Sequence, residues 1–176
     1  MAKKDLLVIE MNNKEDMECF NFREKLKIAQ KPYDYFKEIE NLNFDQLASS
    51  DRIFLQDFGI YNNELNDEEF MLRLRFPAGR ISNNSLLLIS NLAQKYNLQI
   101  ILTARAGIQL HGLDSNNILE VFNQINSQNI SSYQSFGDNI RNITSDIFDG
   151  IGVYNIIEVF PYIEQMQAYI LNHPDY

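Results

Sequence analysis

The chain has 176 residues, 45% of them hydrophobic and 12% aromatic, which suits one sizeable core and excludes a disordered polymer. Its formal charge of −9 and pI near 4.7 argue against nucleic acid as the default partner. No apolar run approaches the roughly 20 residues that span a bilayer, and Met1–Lys4 followed by the short Leu6–Ile9 lacks the apolar stretch of a signal peptide. A single cysteine, Cys19, leaves no internal disulfide and no thiolate metal cage, so a cytoplasmic protein is expected.

Residues 1–64 are charged and mixed and read as an N-terminal arm. Pro32 suits the first position of a helix through Tyr33 to Glu40, where its missing N–H costs nothing. Phe44 to Asp57 reads as a second helix, closed by Gly59 in the left-handed conformation. Phe54, Leu55, Phe58 and Ile60 predict that this arm docks onto something larger.

Residues 65–150 carry a sharper pattern. Phe70 to Pro77 alternates as a strand with period two. Ser82 is a fitting N-cap for a helix to Tyr96, with Ile89, Leu92, Ala93 and Tyr96 on one face. Gln99–Arg105 and Ile108–Leu113 predict two strands joined at Ala106-Gly107. Ser115 can cap a second helix with Ile118, Val121, Phe122 and Ile125 in a stripe, and Asn139–Thr144 suggests a fourth strand. The order βαββαβ is a split βαβ, an α+β ferredoxin-like unit with a four-stranded antiparallel sheet. Residues 151–176 predict a closing helix from Pro161 to before Pro174, with Ile163, Met166 and Ile170 as its apolar stripe.

One face of the predicted sheet is chemically unusual. Alternation turns Leu72, Leu74 and Phe76 toward the helices and Arg73 and Arg75 away from them. Thr103 and Arg105 share a side in the next strand, as do Gln109 and His111 in the third. Together they form a dense set of donors on the helix-free face. Phe70–Leu113 holds five Lys or Arg and no Asp or Glu, so with −9 overall the rest of the chain carries −14. A cationic face in an acidic protein points to a bound anion, and the arginine fork suits carboxylates and oxyanions. His111 by itself has no metal-ligand spacing, and no metal site is expected. Asp138, after Gly137, reads as a turn residue.

Three stretches resemble the siroheme-dependent nitrite and sulfite reductase family. Phe70-Met71-Leu72-Arg73-Leu74-Arg75-Phe76-Pro77-Ala78-Gly79 looks like the family's Arg-x-Arg-x-Pro-x-Gly strand. Thr103-Ala104-Arg105-Ala106-Gly107-Ile108-Gln109-Leu110-His111-Gly112 looks like its Thr-x-Arg-x-x-x-Gln-x-His-Gly hairpin, and Gly137-Asp138-Asn139-Ile140-Arg141-Asn142 like its Gly-Asp-x-x-Arg-Asn element. Asp57-Phe58-Gly59-Ile60-Tyr61 and the tail through His173-Pro174-Asp175-Tyr176 continue the similarity. Ala78 departs from the pattern, since the family often has glycine there.

The resemblance implies an oxidoreductase that reduces sulfite to sulfide or nitrite to ammonia on siroheme coupled to a [4Fe–4S] cluster. It implies that Thr103, Arg105, Gln109 and His111 contact siroheme, that Arg73 and Arg141 hold the oxyanion, and that Arg75 serves the macrocycle's carboxylates. The family's cluster cysteines and active-site lysine pair lie further along, so an inactive N-terminal part of a longer enzyme is expected. A homodimer imitating the missing half is expected as well; the electron donor is open. The rival readings are a non-catalytic ferredoxin-like module that binds an anionic small molecule or tetrapyrrole, and an RNA-binding module. The second requires aromatics on the open sheet face, whereas Phe70 and Phe76 fall on the core side.

Overall fold

The computed structural model describes residues 21–29, 35–63, 66–135 and 140–172. Helix α1 (Phe22–Ala29) is followed by a 3-10 helix (Phe36–Asn41) and by α2 (Ser49–Asp57). Strands β1 (Ile60–Asn63) and β2 (Asn66–Leu74) come next, then a 3-10 turn (Pro77–Gly79) and helix α3 (Asn83–Tyr96). Strands β3 (Gln99–Leu102) and β4 (Ile108–Leu113) precede α4 (Ile118–Ser127) and the closing helix α5 (Phe160–Asn172).

The strands form one antiparallel sheet in the order β1-β2-β4-β3. The alternation from Phe70 onward fixes its register: Leu72 faces Leu110 and Leu74 faces Ile108, whereas Arg73 faces Gln109 and Met71 faces His111. The first set is buried beneath α3 and α4 with Ile89, Leu92, Val121, Phe122 and Ile125. Burying such side chains contributes about 1.5–3 kcal/mol each, which makes this face the principal source of stability.

The fourth strand does not come from Asn139–Thr144. Residues 140–144 are irregular, and residue 139 lies outside the described residues. The position beside β2 is taken instead by β1, paired Ile60 to Leu72 and Tyr61 to Met71. The chain order is therefore ββαββα, with the same four-stranded antiparallel sheet. Four residues, two of them asparagine, carry too little period-two signal to announce a strand, and only pairing with β2 defines it.

The expected arm contributes more than β1. Tyr35, Ile39, Phe44, Phe54, Leu55, Phe58 and Ile60 are all buried in the common core. Tyr35 stacks on Phe54 at 4.6 Å and Phe44 meets Phe70 edge-on at 5.6 Å. The helix expected from Phe44 begins only at Ser49. Asn43 Oδ1 accepts from Asp45 N (3.1 Å) in a side-chain turn that competes with the helix, and Asp51 Oδ2 accepts from Ala48 N at 3.1 Å to cap it. Of the helix expected from Pro32, the described part is Tyr35 and the 3-10 helix after it.

Ser82 caps α3 as expected, its hydroxyl accepting from Ser85 N at 3.1 Å. Ser115 does not cap α4: Asp114 Oδ1 accepts from Asn116 N and Asn117 N, and the helix starts at Ile118. In α5, Met166 is exposed and Gln167 takes the buried place between Ile163 and Ile170. Cys19, Gly137, Asp138 and His173–Tyr176 lie outside the described residues. Among the described residues no helix is long and apolar enough to cross a membrane.

Candidate functional site

Where β2 ends and the β3–β4 hairpin turns, Arg73, Arg75, Thr103, Arg105, Ser135, Arg141 and Asn142 line a cavity of about 240 Å³, and among the described residues no carboxylate lines it. The hairpin places its residues through one side chain. Thr103 Oγ1 accepts from Gly107 N (3.1 Å), while Thr103 N donates to Gly107 O and Ala106 N to Thr103 O, both at 2.9 Å. A side chain at Gly107 would stand 3.0 Å from Leu74 O, so glycine lets the turn lie against β2. Accepting from Gly107 leaves the Thr103 hydroxyl proton to donate elsewhere.

Arg73 stands at the centre. Its pKa is lowered from the usual arginine value, first by burial and then by the charges of Arg141 and Arg105. Arg141 and Arg105 therefore both stand within electrostatic reach of Arg73. An entering anion relieves these repulsions, so the site favours negative charge before any hydrogen bond is counted. Gln109, opposite Arg73 in the ladder, fits best with its amide oxygen accepting from Arg73 Nε (2.9 Å) and Nη2 and its nitrogen donating to His111 Nε2 (3.1 Å). Gln109 and His111 thus extend the polar row along β4 without lining the cavity.

Arg75 follows a different geometry. β2 stops at Leu74, so the alternation that would turn Arg75 outward lapses, and Arg75 N donates to Ser131 O at 2.8 Å. The side chain is 2% exposed. Its Nη1 donates to Ile140 O (2.8 Å) and its Nη2 to Arg141 O (3.0 Å) and Gln167 Oε1 (3.0 Å). The five cations counted between Phe70 and Leu113 also separate. Arg80 pairs with Glu158 and Asp149 and lies over the Phe160 ring, and Lys95 pairs with Glu120.

Several site residues carried no assigned role in the sequence. Asn142 Nδ2 donates to Phe76 O (2.7 Å) and Arg105 O (2.8 Å), tying the segment after β2 to the hairpin loop. The Ser135 hydroxyl lies between the carbonyl oxygens of Arg73 (2.8 Å) and Ser132 (2.6 Å). Gly59 makes that approach possible, because a Cβ there would meet Ser135 Oγ, Arg73 O and Ser132 O within 2.6 Å, at a φ of +79°. Gln167 was hidden by the apolar residues around it. For Asn142 the available signal was its place beside Arg141 in the third motif.

Residues 63–128 match the family described as the nitrite/sulfite reductase ferredoxin-like half domain. The chain is 27% identical over 158 residues to a ferredoxin–nitrite reductase of Leptolyngbya laminosa, covering 85% of this chain and 31% of that protein. It is 33% identical over 97 residues to a sulfite reductase [NADPH] hemoprotein beta-component of a Paenibacillus species, covering 51% of this chain and 17% of the relative. The fold superposes on the Mycobacterium tuberculosis NirA protein with a TM-score of 0.76 at 21% identity, over 88% of this chain and 33% of that one. The chain thus spans about a third or less of these proteins. Residues 63–128 thus match the nitrite/sulfite reductase ferredoxin-like half domain, and the fold around them, a four-stranded antiparallel sheet with N-terminal helices and a C-terminal helix, is the one shared with NirA.

Proposed function

We propose that this chain supplies the cationic wall of a nitrite or sulfite reductase site, holding the oxyanion and the carboxylates of siroheme as part of a longer cytoplasmic enzyme. The observation that carries the reading is the convergence of Arg73, Arg105 and Arg141 on one cavity. The donor set fits the group. Siroheme has eight carboxylates and demands clustered cations, and this face offers guanidiniums, the Thr103 hydroxyl and the Gln109–His111 row. When bound, siroheme with its [4Fe–4S] cluster would relay six electrons, one after another from a separate electron donor, to convert sulfite to sulfide or nitrite to ammonia. Such a cluster takes about four thiolates, and this chain has Cys19 alone, so the thiolates belong to another part of the protein.

Within this reading Arg73 and Arg141 bind the oxyanion, and their fixed charges stabilise the oxygen that leaves as water. Arg105 and Thr103 hold carboxylates at the hairpin, with Gln109 and His111 continuing the same edge. The test is titration of the chain with siroheme or another carboxylate-rich tetrapyrrole. Arg105→Ala should weaken tetrapyrrole binding several-fold, in keeping with about 0–1 kcal/mol for an exposed charge pair. Arg73→Ala should leave it intact and abolish sulfite binding. Equal loss of tetrapyrrole affinity in both variants would overturn the division of roles. Tetrapyrrole binding without any sulfite binding would favour a non-catalytic tetrapyrrole module.

A further inference from the structure

We propose that Arg75 is a positioning residue, which seats the backbone of Ile140 and Arg141 so that the Arg141 guanidinium stands beside Arg73 and Arg105. This rests on the oxyanion reading of the cavity. The segment from Ile140 to Asp146 has neither helix nor strand to hold it. Its place is set by a few polar ties, and Arg75 supplies those on the side away from the hairpin. One guanidinium reaches two successive carbonyls, Ile140 O at 2.8 Å and Arg141 O at 3.0 Å, and also Gln167 Oε1 at 3.0 Å in α5. Gln134 O lies further off, at 3.4 Å. On the opposite side Ala78 N donates to Ile143 O at 2.8 Å and Asn142 bridges Phe76 O and Arg105 O. Arg141 is thus carried on a backbone clamped between α5 and the end of β2.

The chemistry requires arginine. The planar fork directs separate N–H groups at neighbouring carbonyls and an amide oxygen, whereas a lysine ammonium acts as a compact point charge. The cost is a buried cation whose hydrogen-bond partners among the described residues are carbonyl and amide oxygens, none of them a carboxylate. Burial accordingly lowers the Arg75 pKa to about 10. An arginine retained at such a cost, against the backbone of another arginine in the same site, is placed to act through that neighbour. Gln167 completes the clamp, which accounts for a buried amide in the apolar stripe of α5.

The test uses the chain with Arg75→Met, Arg75→Lys, Gln167→Leu, Arg141→Gln and the double variant Arg75→Met/Arg141→Gln. The probes are inorganic sulfite binding and amide hydrogen exchange of Ala78, whose N–H is held by Ile143 O. Expected for Arg75→Met are unchanged exchange at Leu72 and Leu110, Ala78 exchange faster by about tenfold, and sulfite affinity reduced to that of Arg141→Gln. Arg75→Lys should not restore either quantity. In the Arg141→Gln background Arg75→Met should weaken sulfite binding no further. Additional weakening there would make Arg75 a direct anion contact and overturn the proposal, as would unchanged Ala78 exchange in folded Arg75→Met. Should that variant fail to fold, Gln167→Leu carries the test, with a several-fold rise in Ala78 exchange expected and no rise refuting the clamp. Failure of the wild-type chain to bind sulfite would refute the oxyanion reading and Arg75's part in it; the exchange data would still decide the clamp.

Discussion

Between Ile60 and Ser127 the chain is held by burial: Leu72, Ile89, Leu110, Val121 and Ile125 are all withdrawn from solvent between the sheet and two helices. From Ile140 to Val159 the pattern reverses. Ile151, Val153, Tyr154 and Ile156 stand in solvent, with Val153 and Tyr154 each 95% exposed, and no helix or strand organises the backbone. Polar ties hold this second region to the first. Arg75 takes the carbonyls of Ile140 and Arg141, and Arg80 reaches the Asp149 carbonyl at 2.9 Å. Asp149 in turn accepts from Val159 N (2.8 Å) and Phe160 N (3.0 Å), capping α5 from a distant point in sequence. The site draws on both regions: Arg73 and Arg105 stand on the buried framework, while Arg141 is delivered by the tied segment. A substitution that loosens the ties seating Arg141 is therefore expected to leave the buried framework folded.

The largest effect of a single substitution is expected in the core. Leu110→Ala removes a fully buried side chain from the middle of the sheet and should cost about 2–5 kcal/mol. Denaturant unfolding should show both regions destabilised together. Asp149→Ala should cost less, about 1–2 kcal/mol, and act locally. Hydrogen exchange should accelerate at Val159 and Phe160 while Leu72 and Leu110 keep their protection. Equal acceleration at Leu72 would show that the two regions form one cooperative unit.

A smaller effect of opposite sign is expected at Ala78. This residue adopts φ +54°, a left-handed conformation in which an L side chain is strained. The departure from the family's glycine therefore has a physical cost, and Ala78→Gly should raise stability by about 0.5–1 kcal/mol in thermal or denaturant melts. Unchanged or reduced stability would mean that the turn's packing against the 140–143 segment outweighs the backbone term.

Legibility in the sequence follows the same division. The alternation of β2, the stripes of α3 and α4 and the hairpin at Ala106-Gly107 are periodic signals, and each produced its element. Arg73 and Gln109 came opposite one another because ladder geometry follows from alternation, whereas Thr103 and Arg105 lie beyond β3, which ends at Leu102 and not at Arg105, and the hairpin turn brings them to the cavity. β1 was hidden because Ile60–Asn63 is short and half polar, so its role as a strand depends on a partner distant in the pattern. The burial of Arg75 was hidden because the strand ends one residue earlier than the alternation suggests. Irregular segments tied by single arginines leave no periodic trace. The clamp on Ile140 and Arg141 and the cap supplied by Asp149 emerge only from the three-dimensional arrangement.

If Arg73, Arg105 and Arg141 form one oxyanion site, arginine side-chain NMR during titration with sulfite and with nitrite will report it directly. The Nε–Hε signals of these three residues should move along one saturable isotherm that Arg73→Gln abolishes. Arg80, ion-paired to Asp149 and Glu158, should stay still. Absence of saturation, or an Arg80 signal that follows the same curve as the other three, would contradict such a site.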